Sequence, residues 1–220
     1  MSLHLLPTRT GGAAENMALD FLLLQRYPEA APRFRHYGWR APAFTFGYSQ
    51  KWLEISPLIN SLENKVGPGT IDICRRPTGG GIVDHRDDWT YTLVIPRGHP
   101  LESERASQSY RQVHECLARA LGDQGVPAKL QARMEEGVPG SSGPADLCFQ
   151  KSEVFDVVNG VTDAKIAGAA QKRNKHGLLL QGSIWRPSAG AGVDWERFGD
   201  DFAAGLAAML GLEAERRPWP

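Results

Sequence analysis

This sequence has no excess of positive or negative residues: 25 Lys and Arg stand against 25 Asp and Glu, so the formal net charge is zero. A balanced chain has no bulk attraction to nucleic acid or to an anionic membrane, and neither is expected as a partner. Cysteine is scarce as well, with only Cys74, Cys116 and Cys148. An odd, widely spaced set fits a reducing compartment rather than a disulfide scaffold, and without a CxxC pair a structural zinc site is not expected. No apolar run is long enough to span a bilayer. The N-terminal stretch from Met1 to Thr10 lacks the basic region and long apolar segment of a signal peptide. A cytoplasmic location is the default expectation.

What is present reads as an ordinary globular composition, 41% apolar and 23% charged, and the length suits a single domain over 1–220 with a full core. Residues 13 to 27 read as a helix with Met17, Phe21 and Leu24 on one face and Pro28 as its stop. Arg33 to Trp39 and Ala43 to Gly47 read as strands, Gly67 to Gly69 as a turn, and Thr70 to Cys74 as another strand. Trp89, Tyr91, Leu93 and Ile95 alternate with Thr90, Thr92 and Val94, the clearest strand pattern in the chain. Ser103 to Leu121 is the clearest helix, striped by Ala106, Tyr110, Val113, Leu117 and Ala120. Residues 133 to 145, rich in Gly and Pro, read as a mobile loop. Strand signals resume at Val154 to Val158, Asn159-Gly160 marks a turn, Ile166 to Ala170 is a small-residue segment, and Leu178 to Trp185 is a strand. A last helix carries Phe198, Phe202, Leu206 and Met209 on one side. Strands and helices do not alternate regularly. The expected class is therefore α+β, with a mixed, largely antiparallel sheet and flanking helices.

Chemistry concentrates in three places. Arg75-Arg76-Pro77-Thr78-Gly79-Gly80-Gly81 joins two strands, with His85 just beyond. Bare backbone can approach a ligand closely, and its amides can face a phosphate or a carbonyl. The pattern is neither a Walker loop nor a dinucleotide fingerprint, because no Gly-Lys-Ser/Thr and no helix follows it. A flexible turn is the plain alternative. Cys148 lies between the Gly/Pro-rich loop and a strand, where a nucleophile is often held, whereas Cys116 and Cys74 read as inert thiols. Lys165 precedes Ile166-Ala167-Gly168-Ala169-Ala170 and is either an exposed hairpin lysine or an ammonium turned onto a close-packed ligand. Lys172, Arg173 and Lys175 form a basic cluster, either a solvated turn or a contact for an acidic partner.

The glycine block at 75–81 with His85, and Lys165-Ile166-Ala167-Gly168-Ala169-Ala170-Gln171, resemble the lipoate–protein ligase and octanoyltransferase superfamily. Asn16-Met17-Ala18-Leu19-Asp20, Tyr37-Gly38-Trp39 and Phe46-Gly47-Tyr48-Ser49-Gln50 match the same family's N-terminal half, all in the expected order. The chain looks most like the cysteine-dependent octanoyltransferases of the ligase-like branch, because Asp146-Leu147-Cys148-Phe149 puts a cysteine where that branch carries its nucleophile. Thr90-Tyr91 follows the glycine loop as it does there, and no accessory C-terminal domain is expected before Pro220. The resemblance implies a fold similar to the catalytic domain of biotin protein ligases. It implies that Arg76, Thr78, Gly79, Gly80, Gly81 and His85 line the acyl pocket, and that Cys148 and Lys165 are catalytic. Gly168 and Ala169 would be small because the ligand lies against them.

The implied activity moves an octanoyl or lipoyl group from an acyl carrier protein to a lysine of a lipoyl domain or glycine-cleavage H-type protein, with no cofactor. The competing reading is an ATP- and magnesium-dependent ligase in which Cys148 is incidental; a non-catalytic binder of the acyl group or carrier domain is a third. The sequence departs from the family at Gln181, where relatives usually carry His before Gly182-Ser183-Ile184. It departs also in the insertion Val161-Thr162-Asp163, and at Asp84 and Trp89.

Overall fold

The computed structural model describes residues 1–67, 69–133 and 152–220. Two short strands, β1 (Ser2–Leu5) and β2 (Arg9–Gly11), lead into helix α1 (Ala13–Arg26). The Ala13 amide at the start of α1 donates to Asp72 Oδ2 at 2.5 Å, so a distant carboxylate meets the positive end of the helix. β3 (Arg33–Trp39) and β4 (Ala43–Phe46) follow, then α2 (Trp52–Val66), β5 (Asp72–Arg75), β6 (Val83–Asp84) and β7 (Asp88–Pro96). Next come α3 (Pro100–Ser103), α4 (Ala106–Gly122), β8 (Ala128–Leu130), β9 (Val157–Asn159), β10 (Lys165–Asn174) and β11 (Gly177–Trp185). The chain closes with α5 (Arg186–Ala189), α6 (Trp195–Leu210) and β12 (Glu213–Arg216).

The main sheet runs β12-β1-β3-β7-β11-β10-β9-β8, with β2 alongside β3. Pairing is parallel where β1 meets β12 and β3 and where β2 meets β3; every other pair is antiparallel. A second sheet, β5-β4-β6, carries the strands on either side of the glycine block. The class is α+β with a mixed, largely antiparallel sheet, as the irregular order of elements indicates.

The alternation in β7 divides the sheet's two faces. Trp89, Tyr91, Leu93 and Ile95 meet Phe198, Phe202 and Leu206 of α6 and Val113 and Leu117 of α4 in the main core. Val94 faces the other way and packs with Leu179 of β11 and Leu23 and Leu24 of α1. Each fully buried side chain of this size contributes about 1.5–3 kcal/mol. Helices thus cover both faces. A third cluster, with Phe44, Phe46, Ile55, Ile59 and Ile82, seats α2 on the small sheet.

Three expectations change. The helix expected over Ser103 to Leu121 is two helices, because Glu104 and Arg105 are extended with ψ of 155° and 143°. The strand expected from Val154 starts at Val157, because Phe155 turns into the left-handed region at φ 70°. The small-residue segment at 166–170 is the first half of a ten-residue strand, β10. Most of the Gly/Pro-rich stretch expected to be mobile, and Cys148 with it, lies outside the described residues. Among the described residues no helix is long and apolar enough to cross a membrane.

Candidate active site

The glycine block is built around Arg76. Its guanidinium lies beneath the loop, 5% exposed. Nε and Nη2 donate to Gly79 O at 3.1 and 2.7 Å, Nη2 also to Gly81 O at 2.7 Å, and Nη1 to Thr45 O at 3.1 Å. A planar fork of donors suits this task because several carbonyls can be held at once in a fixed geometry. Arg76 therefore shapes the loop from inside. Gly80 adopts φ of +87°. A Cβ on Gly47 would lie 2.0 Å from Gly80 O, so both glycines are required where the two segments cross. The Tyr48 amide, donating to Thr78 O at 2.9 Å, fixes the crossing.

His85 sits between the two sheets. Its Nδ1 is 2.7 Å from Asp88 Oδ2, its Nε2 is 2.8 Å from Thr45 Oγ1, and its ring stacks on Trp39 with centroids 4.1 Å apart. Asp88 Oδ2 also accepts from Thr90 Oγ1 at 2.7 Å and Ser183 Oγ at 2.5 Å. Both imidazole nitrogens are thus engaged, and the ring locks the start of β7 to the small sheet.

Lys165 is not the exposed hairpin lysine of the plain reading. It is 8% exposed, and its Nζ pairs with Asp156 Oδ2 at 2.7 Å. The ammonium folds back over Gly168, where a Cβ would stand 3.0 Å from Nζ and 3.1 Å from Asp156 Oδ1. What lies against bare Gly168 is the ion pair itself.

Register shows how the glycine block and Lys165 relate. Thr90, Ser183 and Gly168 are neighbours across β7, β11 and β10, and so are Thr92, Gln181 and Ala170 one step along the same face. Thr78 Oγ1 donates to Gln181 Oε1 at 2.8 Å, and Gln181 Nε2 donates to Asp20 Oδ2 at 2.6 Å. Asp20 is held by Arg35 Nε at 2.7 Å and by the Tyr37 hydroxyl at 3.0 Å. Gln181 therefore ties the glycine block to the face that carries Lys165. Ala169 is different: strand alternation turns its methyl to the opposite face, onto the main core, and only its amide points toward the strand edge.

Cys116 is 8% exposed, and burial pushes its thiol up to about 11. Cys74 is half-buried and its thiol is also raised, by burial and then by Asp72. The basic cluster divides. Lys172 Nζ stands 4.8 Å from the Tyr48 ring centroid, whereas Arg173 donates to Glu102 O, Glu104 O, Ser109 Oγ and Gln171 Oε1. Arg173 thus holds the joint between α3 and α4 against β10. Asp84 forms a bidentate pair with Arg86, Nε donating to Oδ1 and Nη2 to Oδ2, and Trp89 is a core residue edge-on to Phe198.

Asp156 and Asp88 were not singled out in the sequence, and Asp20 and Tyr110 entered only as a family-block residue and a helix-stripe residue, without a role at the site. The available signal was a carboxylate inside or beside an apolar run, as in Val154-Phe155-Asp156-Val157-Val158. A carboxylate at 1% exposure must be paired, so such a residue has a partner to be found.

Residues 12–188 match the family model described as the lipoyl protein ligase A/B catalytic domain. The chain is 34% identical over 187 residues to octanoyltransferase LipM of Kyrpidia tusciae, covering 82% of this chain and 65% of that protein. It is 33% identical over 173 residues to octanoyltransferase LipM of Macrococcus caseolyticus, covering 77% of this chain and 60% of that protein. The chain thus spans less than two thirds of these relatives' length. Its backbone matches a putative lipoate protein ligase from T. acidophilum with bound lipoic acid at TM-score 0.71 and 19% identity, covering 100% of this chain and 90% of that one. It also matches a lipoate-protein ligase A bound with ATP at TM-score 0.72 and 18% identity, covering 100% and 89%. By sequence over most of its length, and by fold, the chain belongs to the lipoyl protein ligase A/B catalytic domain family.

Proposed function

We propose that this chain transfers a medium-chain acyl group, octanoyl or lipoyl, from an acyl carrier thioester to a lysine of a lipoyl-type carrier domain through an acyl-Cys148 intermediate. The observation that carries the reading is the buried Lys165 ammonium, held by Asp156 over bare Gly168 on the sheet face to which Gln181 ties the glycine block. A fixed cation beside close-packed backbone is the arrangement that stabilises negative charge developing on a carbonyl oxygen. The octanoyltransferase names of the relatives support the acyl group and the reaction type.

In the first step the Cys148 thiolate attacks the thioester carbonyl. The new C–S bond forms, the oxyanion collapses, and the carrier thiolate leaves and takes up the proton that Cys148 gave up. In the second step a neutral lysine amine of the acceptor attacks the acyl-cysteine, an amide forms, and Cys148 is released as thiolate while the amine loses its proton to solvent or to a base. The thioester supplies the activation, so the transfer needs no cofactor. Lys165 faces the oxyanion in both steps. Arg76 and Thr78 set the shape of Gly79–Gly81 over the acyl chain, and His85 with Asp88 holds the strand beneath.

The test is mass spectrometry of the intact protein after incubation with octanoyl acyl carrier protein, followed by addition of a lipoyl domain or an H-type protein. An octanoyl adduct on Cys148 that disappears as the acceptor gains the same mass is the expected result. Modification of the acceptor that requires ATP and magnesium, with no adduct on the enzyme, would establish the ligase chemistry instead. Neither product would leave a binder.

A further inference from the structure

Resting on that reading, we propose that Tyr110 is a positioning residue for Lys165, acting through Asp156. Tyr110 belongs to α4, on an element other than those that carry the lysine and the glycine block. Its hydroxyl accepts the Ala169 amide at 2.9 Å and donates to Asp156 Oδ1. The amide has only a proton to give, so the hydroxyl proton must go to the carboxylate. Asp156 Oδ2 then remains for Lys165 Nζ at 2.7 Å and the Glu153 amide at 2.7 Å. The donations converge on the carboxylate: amide to hydroxyl and hydroxyl to Oδ1 from one side, ammonium to Oδ2 from the other.

The corner that presents Asp156 is fixed from the same helix. His114, one turn beyond Tyr110, has its Nδ1 2.7 Å from Phe155 O, and the two rings meet edge-on with centroids 4.1 Å apart. Phe155 holds φ of +70°, a strained conformation for a non-glycine residue. Backbone bonds hold it in place, Phe155 N to Gln131 O at 2.9 Å and Gln131 N to Asp156 O at 2.8 Å. A lysine side chain has four rotatable carbons and no preferred direction of its own. Here its ammonium is held by Asp156, and one oxygen of Asp156 takes its orientation from Tyr110. Burial, and then the neighbouring carboxylate, raise the Tyr110 phenol well above its ordinary range, so the hydroxyl keeps the proton the tether requires. Removing the hydroxyl leaves Asp156 Oδ1 without this donor. The carboxylate can then turn and draw the ammonium along; displacements of about 1 Å cost up to about 100-fold in rate.

The experiment compares Tyr110→Phe in the parent and in a Lys165→Ala background, using single-turnover acylation by octanoyl carrier protein. Tyr110→Phe is expected to lower the acylation rate about tenfold in the parent, with the half-saturating carrier concentration unchanged. In the Lys165→Ala background it is expected to change the residual rate less than twofold, because its effect passes through that lysine. Equal fold losses in both backgrounds would show that Tyr110 supports the fold only and would overturn the proposal, as would an unaltered rate in the parent. A second readout does not depend on turnover. Acetic anhydride should acetylate Lys165 several-fold faster in Tyr110→Phe than in the parent at matched melting temperature, and equal labelling overturns the tether. If the parent forms no acyl-enzyme, the transfer reading fails on that result while the labelling still decides the tether. Asp156→Asn should raise Lys165 labelling further, and Tyr110→Phe keeps the test open if that variant does not fold.

Discussion

At the residue scale the three thiols separate by surroundings. Cys116 is held at about 11 by burial and Cys74 is raised by burial and Asp72, so both remain thiols at neutral pH. Iodoacetamide at pH 7 is therefore expected to modify Cys148 first, read by peptide mass spectrometry, with octanoyl carrier protein slowing the reaction. Uniform labelling of all three in the folded protein would count against Cys148 as nucleophile, and denatured protein serves as the control for intrinsic reactivity. Cys148→Ser should lose nearly all transfer, since an alcohol there would need a strong base. Gln181 gives a second prediction. It joins Thr78 to Asp20, so Gln181→Ala leaves both without that partner and should lower stability by about 1–3 kcal/mol. For a chain of this length that is several degrees in melting temperature, with slower transfer as the glycine block loosens. An unchanged melting point and rate would show the bridge to be idle. From the residues alone Lys165 and the glycine block each kept a plain alternative, an exposed hairpin lysine and a flexible turn, and it was the ordered family resemblance that singled them out. Asp156 and Tyr110 were not legible as a pair, since they lie 46 positions apart and meet only through the fold. The resemblance implied a ligand beside Ala169 but carried no phase for the strand, and register turns the Ala169 methyl onto the core.

At the element scale, periodicity made β3, β7, β11, α1 and α6 readable because each buries one face or all of itself. α2 was missed although Ile55, Ile59 and Leu62 form a stripe, because Pro57 inside it reads as a stop. The carbonyl that Pro57 cannot bond belongs to Leu53, a residue 84% exposed, where solvent can replace the missing donor. β1, β8 and β12 are three or four residues each and carry too little pattern to separate from loops. The packing of β3 on β7 carries a pH dependence. His36 stacks on Trp89 with centroids 4.7 Å apart, and burial, then Arg186, lower its pKa from 6.5 to about 4. His114 is lowered by burial in the same direction, as is the half-exposed His99. Above pH 6.5 a histidine of this kind is neutral in both states and its packing is fully available. As pH falls toward 4 the unfolded chain takes a proton that the folded chain refuses, so stability declines. The slope is at most about 1.4 kcal/mol per pH unit for each such group, less for a ring that solvent partly reaches. Urea denaturation at pH 7 and pH 5 should show the loss, and His36→Gln should flatten it; equal slopes in parent and variant would remove His36 as a contributor.

At the scale of the whole molecule, a net charge of zero means that any electrostatic guidance of a carrier domain is local. The basic cluster at 172–175 beside the glycine block is the candidate, and its members differ. Arg173 is taken up by carbonyls of Glu102 and Glu104 and by Ser109 Oγ, so reversing it should loosen the α3–α4 joint and lower the melting temperature. Lys175 is exposed, and Lys172 caps the ring of Tyr48, which is itself 63% exposed. Trp52 and Leu53, four and five residues beyond Tyr48, are 47% and 84% exposed as well. An acidic carrier domain arriving here would meet charge at long range and rings at short range. Reversing Lys172 and Lys175 to Glu should therefore slow association at low salt severalfold, by stopped-flow, while melting temperature and the dissociation rate change little. The parent's advantage should shrink as salt rises and the Debye length falls from about 30 Å at 0.01 M to about 8 Å at 0.15 M. Association rates in the parent that do not respond to salt would end the steering idea and leave Tyr48, Trp52 and Leu53 to account for docking by contact alone.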